Sequence, residues 1–158
     1  MTADRVFRSG RAVGASRRPT GPVASSVLVI GACLLVASAI IHLHLWAHGY
    51  RYVPSIGQLF FAQGVVGILL AIIISLIRRI FVAVLGALFA AGTIAGLLVS
   101  VHVGLFGYRE SMSAPWVTTT MVIEAAAIVM LVVGGVLAVS IERSHIRRWR
   151  SLKLPTSP

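Results

Sequence analysis

The sequence predicts an all-α polytopic membrane protein, a bundle of four transmembrane helices with both termini in the cytoplasm. Three observations carry that expectation. The first concerns solvent. Of the 158 residues 58% are hydrophobic and only 11% charged, with a mean hydropathy of +0.94, whereas a soluble domain carries about 25% charged residues. So little charge matches most of the surface to lipid rather than water. The second is segmentation, because four apolar runs are each long enough to cross about 30 Å of hydrocarbon. The third is the placement of charge. Five arginines precede Gly21, Arg78-Arg79 separates the second and third runs, and five basic residues follow Ile141. The two remaining connections hold only Arg51 and Arg109. Short basic flanks stay on the cytoplasmic side of the plasma membrane, so both ends are expected inside.

Taken in order, residues 1–20 are polar and basic, lack any apolar period that could bury a face, and are expected to be a disordered cytoplasmic tail. Pro22 suits the first turn of a helix. The first span is expected at 23–46, which reaches about 36 Å at 1.5 Å per residue. The second is expected at 57–77, the third at 80–107 and the fourth at 117–141, entered through Pro115-Trp116. Residues 21–141 then form one membrane domain. In 142–158, Ile141, His145, Trp149 and Leu152 recur near one helical face among arginines, the pattern of a basic amphipathic helix lying on the inner leaflet. The net charge of +10 is therefore read as a topology signal with attraction to anionic lipids, not as a nucleic-acid footprint. Trp46, Tyr50, Tyr52, Tyr108 and Trp116 all fall at the outer interface, where amphipathic rings prefer to sit.

Small residues mark where helices can touch. Gly92, Gly96 and Ser100 recur every four residues, a small-x-x-x-small face that permits close approach in lipid. It is expected to pack within the bundle, the alternatives being a homo-oligomer seam or a membrane-protein partner. Gly31, Gly64, Gly67 and Gly134-Gly135 add further points of close approach. Cys33 is the only cysteine. It excludes an intramolecular disulfide and is expected to serve as a small buried residue.

Ionisable side chains inside a span are costly and default to functional candidates. Three qualify: His42 in span one, His102 in span three and Glu124 in span four. Counted from Trp46, Gly107 and Trp116, all three lie in the outer half of the membrane. Ser38 is one turn from His42 and Thr120 one turn from Glu124. An unpaired Glu124 in lipid would be protonated or strongly destabilising, so its partner matters. Three uses fit the set: a hydrogen-bonded Glu–His lock on helix register, a proton-relay, transport or quinone-type site, and a metal or haem site. His44, His48, Tyr50, Arg51 and Tyr52 form a stiff aromatic-basic loop expected to be a contact surface, and His44 and His48 share a helical face at i, i+4. Metalloprotease, P-loop, dinucleotide and nucleophile-elbow motifs are absent from the sequence.

The segments H-L-H-L-W at His42 to Trp46 and G-Y-R-Y-V-P-S-I-G-Q-L-F at Gly49 to Phe60 resemble small four-helix membrane proteins of actinobacteria. The general layout is similar to that of DoxX-like four-helix proteins. The resemblance covers the first outer loop and parts of spans one and two. It implies the four-helix layout, and no activity or site residue comes with it. The residues themselves point first to a non-enzymatic accessory or scaffold component of the plasma membrane. The second reading is a redox protein using haem, metal or quinone, or a proton-coupled transporter, with its site in the outer half of the bundle.

Overall fold

The computed structural model describes residues 20–152, with side chains described for 20–141. Four helices account for almost all of it: α1 at Pro22–Ala47, α2 at Ile56–Ile77, α3 at Ile80–His102 and α4 at Val117–Leu152. Each is long and apolar enough to cross a membrane, α4 through its Val117–Ile141 portion. The first two spans begin and end within a residue of their expected limits. Pro22 stands in the first turn of α1 as its fixed φ favours. A single 3₁₀ turn at Tyr50–Tyr52 lies between α1 and α2. Between α2 and α3 the chain reverses at Arg78, which takes the left-handed conformation usually left to glycine (φ 48°, ψ 41°).

Two boundaries differ from expectation. The third helix stops at His102, five residues before the expected 107. Gly104 turns to φ +94°, and Leu105 and Tyr108 then exchange both backbone hydrogen bonds, at 2.7 and 2.9 Å. Phe106 and Gly107 between them both have positive φ (51° and 79°), as the tight two-residue hairpin requires. The apolar composition of Val103–Phe106 thus continues past the helix in a different conformation. At the other end α4 runs through Ile141 without a break to Leu152. The expected amphipathic face of residues 142–158 and the expected disordered tail before residue 20 fall on side chains and segments outside the described residues.

The bundle is built around the antiparallel pair α1 and α4. Along α1 the buried positions Ala24, Leu28, Gly31, Leu35, Ser38 and His42 recur at alternating steps of four and three. Along α4 the buried Val117, Thr120, Glu124, Ala127, Leu131 and Gly134 do the same. These steps keep one stripe facing the partner, as in a coiled-coil seam. The notches are reciprocal. A Cβ added at Gly134 would stand 2.8 Å from Leu28 Cγ, and one added at Gly31 would stand 2.9 Å from Leu131 Cγ. Each leucine therefore seats over a glycine of the facing helix. Lipid tails are as apolar as leucine, so such close packing, rather than escape from water, holds the pair together.

The remaining helices flank this pair, α2 against α1 and α3 against α4, while α2 and α3 meet only sparsely. Gly86 accepts Ile74 of α2, Leu131 and Leu35 at the centre, and Gly67 lies beside Phe89 and Ala39. Beyond Gly67 and Phe89, toward the end of the bundle remote from the termini, nothing fills the space between α2 and α3. Gly92 and Gly96 have no atom within 4 Å of an added Cβ, so the small-residue stripe is not the packing face expected of it. Cys33 also departs from expectation: it is exposed on the outer side of α1, because the seam takes its neighbours Gly31, Ala32 and Leu35 instead.

Gly134→Ala is expected to cost about 1–3 kcal/mol, since Leu28 must move with its backbone only 3.1 Å away. Gly92→Ala meets nothing and is expected to be neutral or stabilising. Thermal unfolding of the two variants in detergent compares them directly.

Candidate functional site

The unfilled space between α2 and α3 is a cavity of about 360 Å³ at the loop end of the bundle. Every helix contributes to its wall. Leu45, Ile56, Leu59, Phe60, Leu97 and Val117 supply most of the apolar lining. Its polar side is the loop-end continuation of the α1–α4 seam, where Ser38, His42, Thr120 and Glu124 take over from leucine, glycine and alanine at the same three-and-four spacing.

These side chains are held firmly. Glu124 is 2% exposed and His42 7%. The Ser38 hydroxyl donates to Glu124 Oε1 at 2.8 Å, joining α1 to α4. His42 Nδ1 lies 2.9 Å from the Ser38 carbonyl oxygen. A carbonyl only accepts, so Nδ1 carries the proton and donates. Thr93 on α3 also faces the Glu124 carboxyl, while its own hydroxyl donates to Ala90 O at 2.7 Å. The partners of Glu124 are therefore neutral hydroxyls. One buried polar atom among the described residues is left without any partner, Thr120 Oγ1.

A second polar cluster closes the cavity from the loop side. Tyr50 stacks on Phe60 at 4.5 Å between centroids, and its hydroxyl donates to Glu110 Oε2 at 2.6 Å. Tyr108 donates to the same oxygen at 3.3 Å, and the Glu110 backbone N–H donates to Ser100 O. The α1–α2 and α3–α4 connections are thereby tied over the cavity. Gly57 permits this closure, because a Cβ there would stand 2.6 Å from the Tyr50 carbonyl oxygen. The Tyr50 phenol is pushed well above its ordinary value of 10.0, by burial first and then by its bond to Glu110.

Of the three intramembrane candidates the cavity wall unites His42 and Glu124 and leaves out His102. The ring of His102 is exposed at the end of α3. Ser100, two residues earlier, faces the cavity, and two residues turn a helix by about 200°, to the opposite face. The outer-loop group divides likewise. His44, His48, Arg51 and Tyr52 are exposed, with the His44 and His48 rings 4.0 Å apart and Arg51 over the Tyr52 ring, while Tyr50 turns inward. Arg109 donates to the carbonyls of Val101 and His102 and so caps α3. Gly92, Gly96 and Ser100 all line the cavity. Among the described residues no group of three or more His, Cys, Asp or Glu is gathered to hold a metal ion. Sequence reasoning missed Glu110. Its signal was available: it is the single acidic residue in the α1–α2 and α3–α4 connections, two residues after Tyr108.

Two outcomes are expected. Glu124→Gln keeps an acceptor for Ser38 and should unfold within about 1 kcal/mol of the parent, whereas Glu124→Ala leaves that buried hydroxyl unpaired and should cost about 1–3 kcal/mol. Chemical unfolding in detergent micelles measures both. Separately, the folded protein holds the Tyr50 proton more tightly than the unfolded chain does. The stabilisation from this contact is complete below the ordinary tyrosine value and is lost as pH rises through the raised folded one. An alkaline absorbance titration should show one of the three tyrosines ionising last, and Tyr50→Phe should delete that step.

Comparison with known proteins gives no match to a family model, to a curated protein or to a solved structure.

Proposed function

We propose that the protein is a multi-pass component of the plasma membrane, both termini cytoplasmic, that works by binding a small lipophilic molecule in the cavity at the outer end of its bundle. The orientation follows from the basic residues that crowd the termini and the Arg78-Arg79 turn, and the same residues engage anionic lipids. The accessory role expected from the sequence becomes that of a binding component. The observation that carries this reading is a cavity of about 360 Å³ with a largely apolar wall and the side chains of His42 and Glu124 on one side of it. Ligand sites combine an apolar wall with a few convergent polar groups in this way. A bundle that served only to pack against other proteins would gain by closing such a void, since its lining forfeits contacts on one side.

Titration of the protein in lipid nanodiscs with the neutral fluorophore 1-aminoanthracene tests the reading. The parent is expected to saturate at one site, and Gly96→Leu, which fills the cavity from a position with open space around its Cβ, to bind at least about tenfold more weakly. Equal binding by the two proteins would overturn it. Glu124→Gln separates this role from proton-coupled transport. Binding should survive the substitution, whereas a transport cycle that moves a proton through the carboxyl would stop.

A further inference from the structure

The cavity has an internal polarity that selects the head group of its occupant, an inference that rests on reading the cavity as a binding site. At the polar wall, His42 Nδ1 is committed to the Ser38 carbonyl. In the neutral ring the other nitrogen, Nε2, is then a bare acceptor. It makes no hydrogen bond to the protein among the described residues, and His42 lines the cavity. Thr120 Oγ1, on the facing helix, has no partner either, but neighbouring atoms cover it and it presents no surface to the cavity. The site therefore offers one free acceptor, beside a carboxyl already engaged by Ser38.

Carbonyl, ether and anionic head groups each meet an obstacle. A carbonyl or ether oxygen has no hydrogen to give Nε2 and leaves it unsatisfied. A carboxylate or phosphate finds no lysine or arginine among the lining residues and would lie beside Glu124, where burial without a counter-charge is costly. A neutral hydroxyl donates to His42 Nε2 and brings no charge beside Glu124. The remainder of the wall, with Leu45, Leu59, Phe60 and Leu97, suits an apolar body. The volume lies at the small end of ligand pockets, which matches a compact molecule and excludes a whole phospholipid.

Access is also indicated. Leu59 is 39% exposed and Gly92 is exposed with open space at its Cβ. The loop side is closed by the Tyr50–Glu110–Tyr108 contacts. Entry is therefore lateral, between α2 and α3 from the lipid.

We propose that the cavity binds a compact, uncharged lipophilic alcohol or phenol, its hydroxyl donating to His42 Nε2 and its apolar body admitted from the bilayer between α2 and α3. The test is fluorescence titration of the full chain in nanodiscs with 1-naphthol, 1-methoxynaphthalene, naphthalene and 1-naphthoate, each corrected for partition into empty nanodiscs. Naphthol should bind about tenfold more tightly than its methyl ether and than naphthalene, and naphthoate weakest. His42→Phe keeps a ring of similar shape and removes the acceptor, so it should erase most of the naphthol advantage while leaving naphthalene unchanged. Thr120→Val removes a hydroxyl that the cavity does not expose and should leave the naphthol advantage intact; an advantage that survives His42→Phe would overturn the proposal. If all four probes bind alike and Gly96→Leu blocks them, the cavity binds ligands without selecting a hydroxyl, and the present proposal alone fails. Tightest binding by naphthoate would also overturn it. If no probe binds better than to Gly96→Leu, the binding role itself fails.

Discussion

The register of α1 against α4 is the constraint on which the rest of the molecule depends. Gly21 faces Ile141, Leu28 faces Gly134, Gly31 faces Leu131 and Ser38 faces Glu124, all in one antiparallel alignment. Two leucine-over-glycine notches fix it sterically, because neither helix can slide by a residue without driving a leucine side chain into a neighbouring backbone. Ser38 and Glu124 are then brought together by the same alignment, ten and seven residues farther along. In lipid this matters more than hydrophobicity, since tail and side chain are equally apolar and only close fit and hydrogen bonds discriminate between registers.

The cavity follows from that seam and from the unequal packing of the other two helices. At the middle of the bundle Gly86 and Gly67 let α3 and α2 approach the central pair. Toward the loops, Gly92 and Gly96 on α3 leave the opposite wall without side chains, and the seam exposes His42, Thr120 and Glu124 to the space between. Glycine thus has two opposite uses in one bundle. At Gly31 and Gly134 it admits a leucine, whereas at Gly92 and Gly96 it leaves the cavity open. Over this space the loops are locked by the Tyr50–Glu110 bond, which leaves the lipid side as the open approach.

Hydropathy alone made the four spans legible, and the positions of α1, α2 and the start of α3 follow it closely. It overran the end of α3 because Val103, Leu105 and Phe106 are as apolar as a helix, and only Gly104 and Gly107 betray the hairpin. Depth counting grouped His42, His102 and Glu124, whereas the cavity wall holds His42 and Glu124 without His102, since depth ignores which way a side chain faces. The three-and-four spacing of Leu28, Gly31, Leu35, Ser38 and His42 would have supplied that direction and shown that the polar site continues a packing seam. No comparable signal separates the two uses of glycine: a stripe such as Gly92–Gly96–Ser100 reads the same whether it meets a helix or a void.

Double-cysteine cross-linking in a Cys33→Ser background tests the register most directly. Ser38→Cys paired with Glu124→Cys should cross-link readily in native membranes with a short bifunctional thiol reagent, while Ser38→Cys paired with Ala127→Cys or Thr120→Cys should react markedly more slowly. Faster reaction in either offset pair would mean that α1 and α4 align differently, that Ser38 does not face Glu124, and that the polar wall of the cavity is not built as described.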